Sequence, residues 1–94
     1  MVFGKAIELL RVGKMVARMT WDGKYVFKQV PSNIPQSVVP NMTSLPQSVK
    51  DKIGDTQTGL FYRNQLALMH PDGTIDSWSP SSEDIFAIDW CEVK

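Results

Sequence analysis

Apolar side chains at Phe3, Ala6, Ile7 and Leu10 recur at the spacing that puts them on one face of a helix, and Gly13 is a natural residue to end it. The pattern predicts an N-terminal amphipathic helix over residues 3–12. Met15 to Met19 then reads as a short strand, Asp22-Gly23 as a hairpin turn, and Lys24 to Val30 as a strand. In that second strand Tyr25, Phe27 and Gln29 alternate with Val26, Lys28 and Val30. Residues 31–48 change character: Pro31, Pro35, Pro40 and Pro46 among Ser, Asn and Gln predict no regular structure. Ser44-Leu45-Pro46-Gln47 has the form of a capping box, so a helix of one or two turns is expected over Ser48 to Ile53, ending at Gly54. The whole of 31–59 is a Pro-rich excursion, whose length in a small domain marks it as either functional or mobile.

Order resumes at Leu60, and the run to His70 reads as a single strand buried in its second half. His70-Pro71-Asp72-Gly73 carries Pro and Gly where a type I turn prefers them, and Thr74 to Trp78 returns as the hairpin partner. Pro80 stops that strand. Ser81 or Ser82 then caps a short helix whose first turn holds Glu83 and Asp84, and Asp89 to Val93 closes the chain as a strand. The predicted fold class is α+β: a small antiparallel sheet of about five strands, an N-terminal amphipathic helix and one or two short helices. One domain over residues 1–94 is expected from the length.

Composition narrows the function. Ten basic and ten acidic residues cancel, which argues against a general nucleic-acid or membrane-surface binder. The charges are unevenly placed. Six of the ten basic residues lie within residues 1–30 and six of the ten acidic ones after residue 70, so the two ends are expected to meet. Cys91 is alone, so no internal disulfide and no cysteine-based metal site can form. The start has no signal-peptide core and no run approaches membrane-spanning length, which predicts a cytoplasmic protein.

Catalysis has little to rest on. His70 is the single histidine, at a hairpin corner; no Ser or Cys carries a nucleophile motif, and no Gly-rich phosphate loop or metal spacing is present. We expect no enzyme, no catalytic residues, no metal and no cofactor. Binding has more support. Trp21 beside the first turn is placed either to stack on a base or to close one end of the core. Arg18, three residues earlier, suits a bidentate phosphate contact or a pairing with the acidic C-terminal segment. Trp78 divides between core and site, Asp84 between capping its own helix and accepting ribose hydroxyls, and Trp90 reads as core.

In order and spacing, Phe3-Gly4-x-Ala6-Ile7, Gly13-Lys14-x-Val16-x-Arg18-x-x-Trp21-x-Gly23, Asp72-Gly73-Thr74-Ile75-x-x-Trp78-x-x-Ser81 and Asp84-Ile85-x-Ala87-x-Asp89-Trp90 resemble the second Thoeris anti-defence family of bacteriophages. The resemblance covers both flanks and leaves 31–59 without a motif. It implies a sponge in the host bacterial cytoplasm that binds a cyclic ADP-ribose-type signal (glycocyclic ADP-ribose) intact, and so blocks TIR-based immunity. It also implies a homotetramer with pockets at protomer boundaries. On this reading the ligand-binding residues are Trp21, Arg18, Trp78, Asp84, Ser81 and Tyr25, with Trp21 and Trp78 stacking, Arg18 on phosphate, and Asp84 and Ser81 on ribose. Three alternatives stay open: a sponge for cyclic dinucleotides, a protein–protein inhibitor of a host defence component acting through 31–59, and a small hydrolase of the signal dependent on His70.

Overall fold

The computed structural model describes residues 1–56 and 59–94; of Thr56 it describes the backbone. In chain order the elements are α1 (Phe3–Arg11), β1 (Met15–Arg18), β2 (Tyr25–Gln29), β3 (Ser32–Ile34), a 3₁₀ turn (Val39–Asn41), α2 (Gln47–Thr56), β4 (Leu60–Tyr62), β5 (Gln65–Met69), β6 (Ile75–Ser77), α3 (Ser82–Phe86) and β7 (Trp90–Val93). They fall into two compact units: residues 1–29 with 64–94, and residues 30–63.

The first unit is the α+β layer expected from the hydrophobic pattern. Its five antiparallel strands lie in the order β6-β5-β2-β1-β7, which brings the two ends of the chain side by side. Val16 is opposite Val26 and Val26 opposite Leu68, so one apolar row crosses three strands. The helical stripe predicted from Ala6 and Leu10 settles on that row, and with Trp90 these residues make the buried core. Phe3, Ile7, Leu66 and Trp78 pack around it. By strand alternation the opposite face carries Ala17, Tyr25, Phe27, Ala67, Met69 and Cys91, also largely apolar. The N-terminal ammonium donates to the carbonyls of Trp90 (2.6 Å) and Ile88 (3.1 Å), and the Trp90 amide donates back to the Met1 carbonyl.

Two turns are set by glycine. The β1–β2 connection is longer than a two-residue hairpin, running from Met19 to Lys24. There Gly23 takes φ +82°, and a Cβ at that position would lie 3.1 Å from the Pro71 ring. In the β5–β6 turn the Gly73 amide donates to the His70 carbonyl, and Asp72 accepts from both the amide (3.0 Å) and the hydroxyl (2.7 Å) of Thr74.

In the second unit three expectations are corrected. Residues 31–48 do hold regular structure: Ser32–Ile34 pairs antiparallel with Leu60–Tyr62, and Val39–Asn41 makes a 3₁₀ turn. Pro31 and Pro35 flank β3 rather than interrupt it, so no ladder donor is lost. The run from Leu60 to His70 is two strands, not one: β4 belongs to this small sheet and β5 to the large one. Helix α2 begins at Gln47 and continues through Gly54. Its first bonds run from the amides of Val49 and Lys50 to the Pro46 carbonyl, two residues beyond Ser44, so the Ser44 capping box does not start it. An interior glycine costs only about 1 kcal/mol, which does not end a helix held at its start. Residues 57 and 58 of the expected excursion lie outside the described residues.

Candidate functional site

Three tryptophans far apart in sequence form one cluster. Trp90 on β7 is 1% exposed, and its indole N–H donates to the Asp84 carbonyl at 2.9 Å. Trp21 and Trp78 meet it edge-to-face, with ring centroids 5.3 and 6.0 Å away and interplanar angles of 80°. Trp21 and Trp78 touch each other in the same way at 6.2 Å, and Phe3 closes the group 5.3 Å from Trp90. Such pairs each add about 0.5–1.5 kcal/mol beyond the area they bury. Trp90 is therefore the hub, and Trp21 and Trp78 are half-buried spokes.

Arg18, opposite Trp90 in the β1–β7 register, is held by carboxylates. Its Nε donates to Asp89 at 2.6 Å, its Nη1 donates to Asp84 at 3.0 Å, and Glu83 lies 3.8 Å from Nη2. The hydrogen bond to Asp89 leads the causes that raise the guanidinium pKa, and burial opposes it. This is the meeting of basic N-terminal and acidic C-terminal segments that the charge pattern predicted. One arginine among three acids leaves a local excess of negative charge, so a phosphate reaching Arg18 has to displace a carboxylate.

Asp84 is doubly committed. It and Ser81 form a capping box at the start of α3: the Asp84 amide donates to Ser81 Oγ at 3.1 Å, and the Ser81 amide donates to Asp84 Oδ2 at 2.9 Å. Burial alone would raise the Asp84 pKa, but the bonds from Ser81 and Arg18 outweigh it and hold the carboxyl below its ordinary value.

A cavity of about 240 Å³ opens where β1 turns toward β2, lined among others by Arg18, Trp21, Lys24, Tyr25, Cys91 and Val93. Three of the six residues expected to bind ligand (Arg18, Trp21 and Tyr25) are brought together there. The other three are not: Trp78 packs behind Trp21, Asp84 touches Arg18 from the α3 side, and Ser81 caps α3. Lys24 is the residue that sequence reasoning missed. Its ammonium sits 5.1 Å from the Trp21 ring centroid, in cation–π range, and no carboxylate pairs with it among the described residues. A basic residue three positions after an indole, across a glycine turn, was the available signal. Cys91 adds a thiol that donates to the Ala17 carbonyl at 3.4 Å.

His70 and Asp76 pair at 2.7 Å across the β5–β6 hairpin, and neither lines this cavity. No group of three or more metal-ligating side chains occurs among the described residues. No helix among them is long and apolar enough to cross a membrane.

Indole, phenol and ammonium thus lie around one modest cavity of a small α+β protein. Comparison with known proteins gives the class a family. Residues 1–93 match the model of the Thoeris anti-defense 2-like domain, and the chain belongs to that family of anti-defence proteins. It is also similar to a protein of Bacillus phage SP01 named Thoeris anti-defense 2, with 29% identity over 90 residues, covering 96% of this chain and 91% of the relative.

Proposed function

We propose that this protein is a non-enzymatic sponge that holds a cyclic ADP-ribose-type immune signal intact and so blocks TIR-based Thoeris immunity in the host cytoplasm. Membership of the anti-defence family supports the biological role. The observation that carries the chemistry is the Lys24–Trp21 pair among the lining residues of the 240 Å³ cavity. Stacking a base on an indole is worth about 1–3 kcal/mol, and an ammonium without a carboxylate partner is free to meet a phosphate. Lys24 takes the phosphate role more readily than Arg18, whose donors already face Asp89 and Asp84.

Size bears on assembly. A cavity of about 240 Å³ is smaller than the roughly 300–1,000 Å³ of sites that enclose a drug-sized ligand. One protomer is therefore suited to part of such a signal, and a second copy completes the pocket. That supports pockets shared at protomer boundaries, as in the homotetramer that the family resemblance implies. A sponge must also outcompete the effector, which sets nanomolar affinity, about −12 kcal/mol, as the working scale.

The test loads purified protein with a mixture of cyclic ADP-ribose isomers, removes free ligand, heats the protein and identifies what is released by mass spectrometry. Release of one intact isomer, lost in Trp21→Ala and weakened in Lys24→Ala, is the expected result. Release of a cleaved product would make the protein an enzyme, and no release would overturn the reading.

A further inference from the structure

The cavity where β1 turns toward β2 has a floor that the strand register identifies. Ala17 lies opposite Cys91 on β7, and the Val16–Val26 pair puts Tyr25 opposite it on β2. Residues directly opposite share a face of the sheet, and Val93, two positions after Cys91, shares it too. All four line the cavity, and none belongs to the core cluster of Val16, Val26 and Trp90 under α1. The hollow is therefore built on the sheet face turned away from that cluster.

Its depth comes from one residue. Tyr25 and Cys91 stand on either side of Ala17, whose methyl is the smallest side chain in the row. Ala17 is only 7% exposed, which makes it the bottom of the hollow and not its rim. Trp21 and Lys24 reach the same hollow from the β1–β2 connection. Polar partners there are few. The Cys91 thiol is already spent on the Ala17 carbonyl, and the Arg18 donors face Asp89 and Asp84. A ribose brings hydroxyls that lose water and need new partners, whereas a base brings two flat faces that an apolar floor and an indole can cover.

We infer that Ala17 is the specificity-determining residue of this site: the floor on which a flat heteroaromatic base of the ligand lies, with its sugar and phosphate directed out toward Lys24. The inference rests on the reading of this cavity as a nucleotide-signal site. Reach is the physical reason. A valine at this position extends one carbon–carbon bond beyond the alanine methyl, about 1.5 Å. A ring touches carbon at about 3.5–4 Å, so a floor raised that far lifts the ring from its walls and forfeits the contacts.

Cys91 is the single cysteine, so its alkylation by iodoacetamide, read by mass spectrometry on the full chain, reports access to the floor. Without any ligand, Ala17→Val should be alkylated at least about threefold more slowly, and Ala17→Gly faster, since reaction follows access to the thiol. In the parent, AMP should protect Cys91 saturably, while ribose 5-phosphate, which lacks the base, should not at the same concentration. Ala17→Val should weaken AMP at least about tenfold, as overpacking does, and circular dichroism checks that it is folded. The comparison of AMP with ribose 5-phosphate needs no variant. Equal protection by ribose 5-phosphate, no protection by AMP at millimolar concentration, or equal AMP affinity in Ala17→Val would overturn the inference. AMP protection that Ala17→Val abolishes, in a protein that captures no cyclic ADP-ribose isomer, would keep the floor and sink the sponge. Capture of an isomer that Ala17→Val leaves unchanged would do the reverse.

Discussion

Trp90→Phe should be among the most destabilising conservative substitutions in the large sheet. Three losses combine at that position. The indole N–H no longer meets the Asp84 carbonyl, now 2.9 Å away, and an acceptor left without a donor in a part-buried site costs about 1–3 kcal/mol. The smaller ring leaves a void where the side chain is 1% exposed. The edge contacts with Trp21 at 5.3 Å and Trp78 at 6.0 Å weaken, each having been worth about 0.5–1.5 kcal/mol. A phenyl ring keeps part of the packing, so the total should be about 3 kcal/mol, at the lower end of the roughly 3–5 kcal/mol of full truncation to alanine. For a domain of this size that lowers Tm by about 12–24 °C. Urea and thermal unfolding followed by circular dichroism, at one protein concentration because assembly shifts apparent stability, measure it. The fluorescence of Trp21 and Trp78 gives a second probe. A loss below about 1 kcal/mol would refute the placing of Trp90 as the hub on which the other two indoles lean.

Acid stability tests the Arg18 cluster. The folded pKa of Asp84 is held down chiefly by Ser81 and Arg18 against the opposing effect of burial, and that of Asp72 chiefly by the Thr74 hydroxyl. A depressed carboxyl pKa contributes stability that is complete above the unfolded value, near 4, and is lost as pH falls through the lower folded value. Melting temperature should therefore drop below about pH 4, and Asp84→Asn should flatten that drop while lowering stability at neutral pH. Gly23→Ala should cost about 1–2 kcal/mol, because φ +82° is strained for alanine and the added methyl meets Pro71, as urea unfolding would register. Ser81→Ala should remove the reciprocal cap of α3 at a cost of about 1 kcal/mol, visible as faster amide exchange at Asp84 and Ile85.

What could be read from the chain itself was what neighbours in sequence decide. The apolar stripe of α1, the turn at His70–Gly73 and the Ser81 cap each lie within a few residues, where helical period, turn preference and side-chain reach act directly. The α+β class followed from those local periods, and the family from the order of four motifs. Partner choice was not legible, because it depends on which surfaces meet after folding. Leu60–Tyr62 was read as the start of one strand running to His70, yet its pairing with Ser32–Ile34 instead of the large sheet is a non-local outcome. The capping signal at Ser44 was sound in form, but the chain began its helix two residues later, at the carbonyl of Pro46.

The same division runs through the site. Sequence alone placed Trp21 and Arg18 beside one turn and named Tyr25 among six candidates; these three line one cavity, and Trp78, Asp84 and Ser81 do not. It marked Arg18 as suited to either a phosphate or the acidic C-terminal segment. Tertiary structure set its contacts by bringing Asp89, 71 residues away, to 2.6 Å from its Nε. A side chain's chemistry is written in the sequence, but its free valences are whatever the folded neighbours leave unpaired.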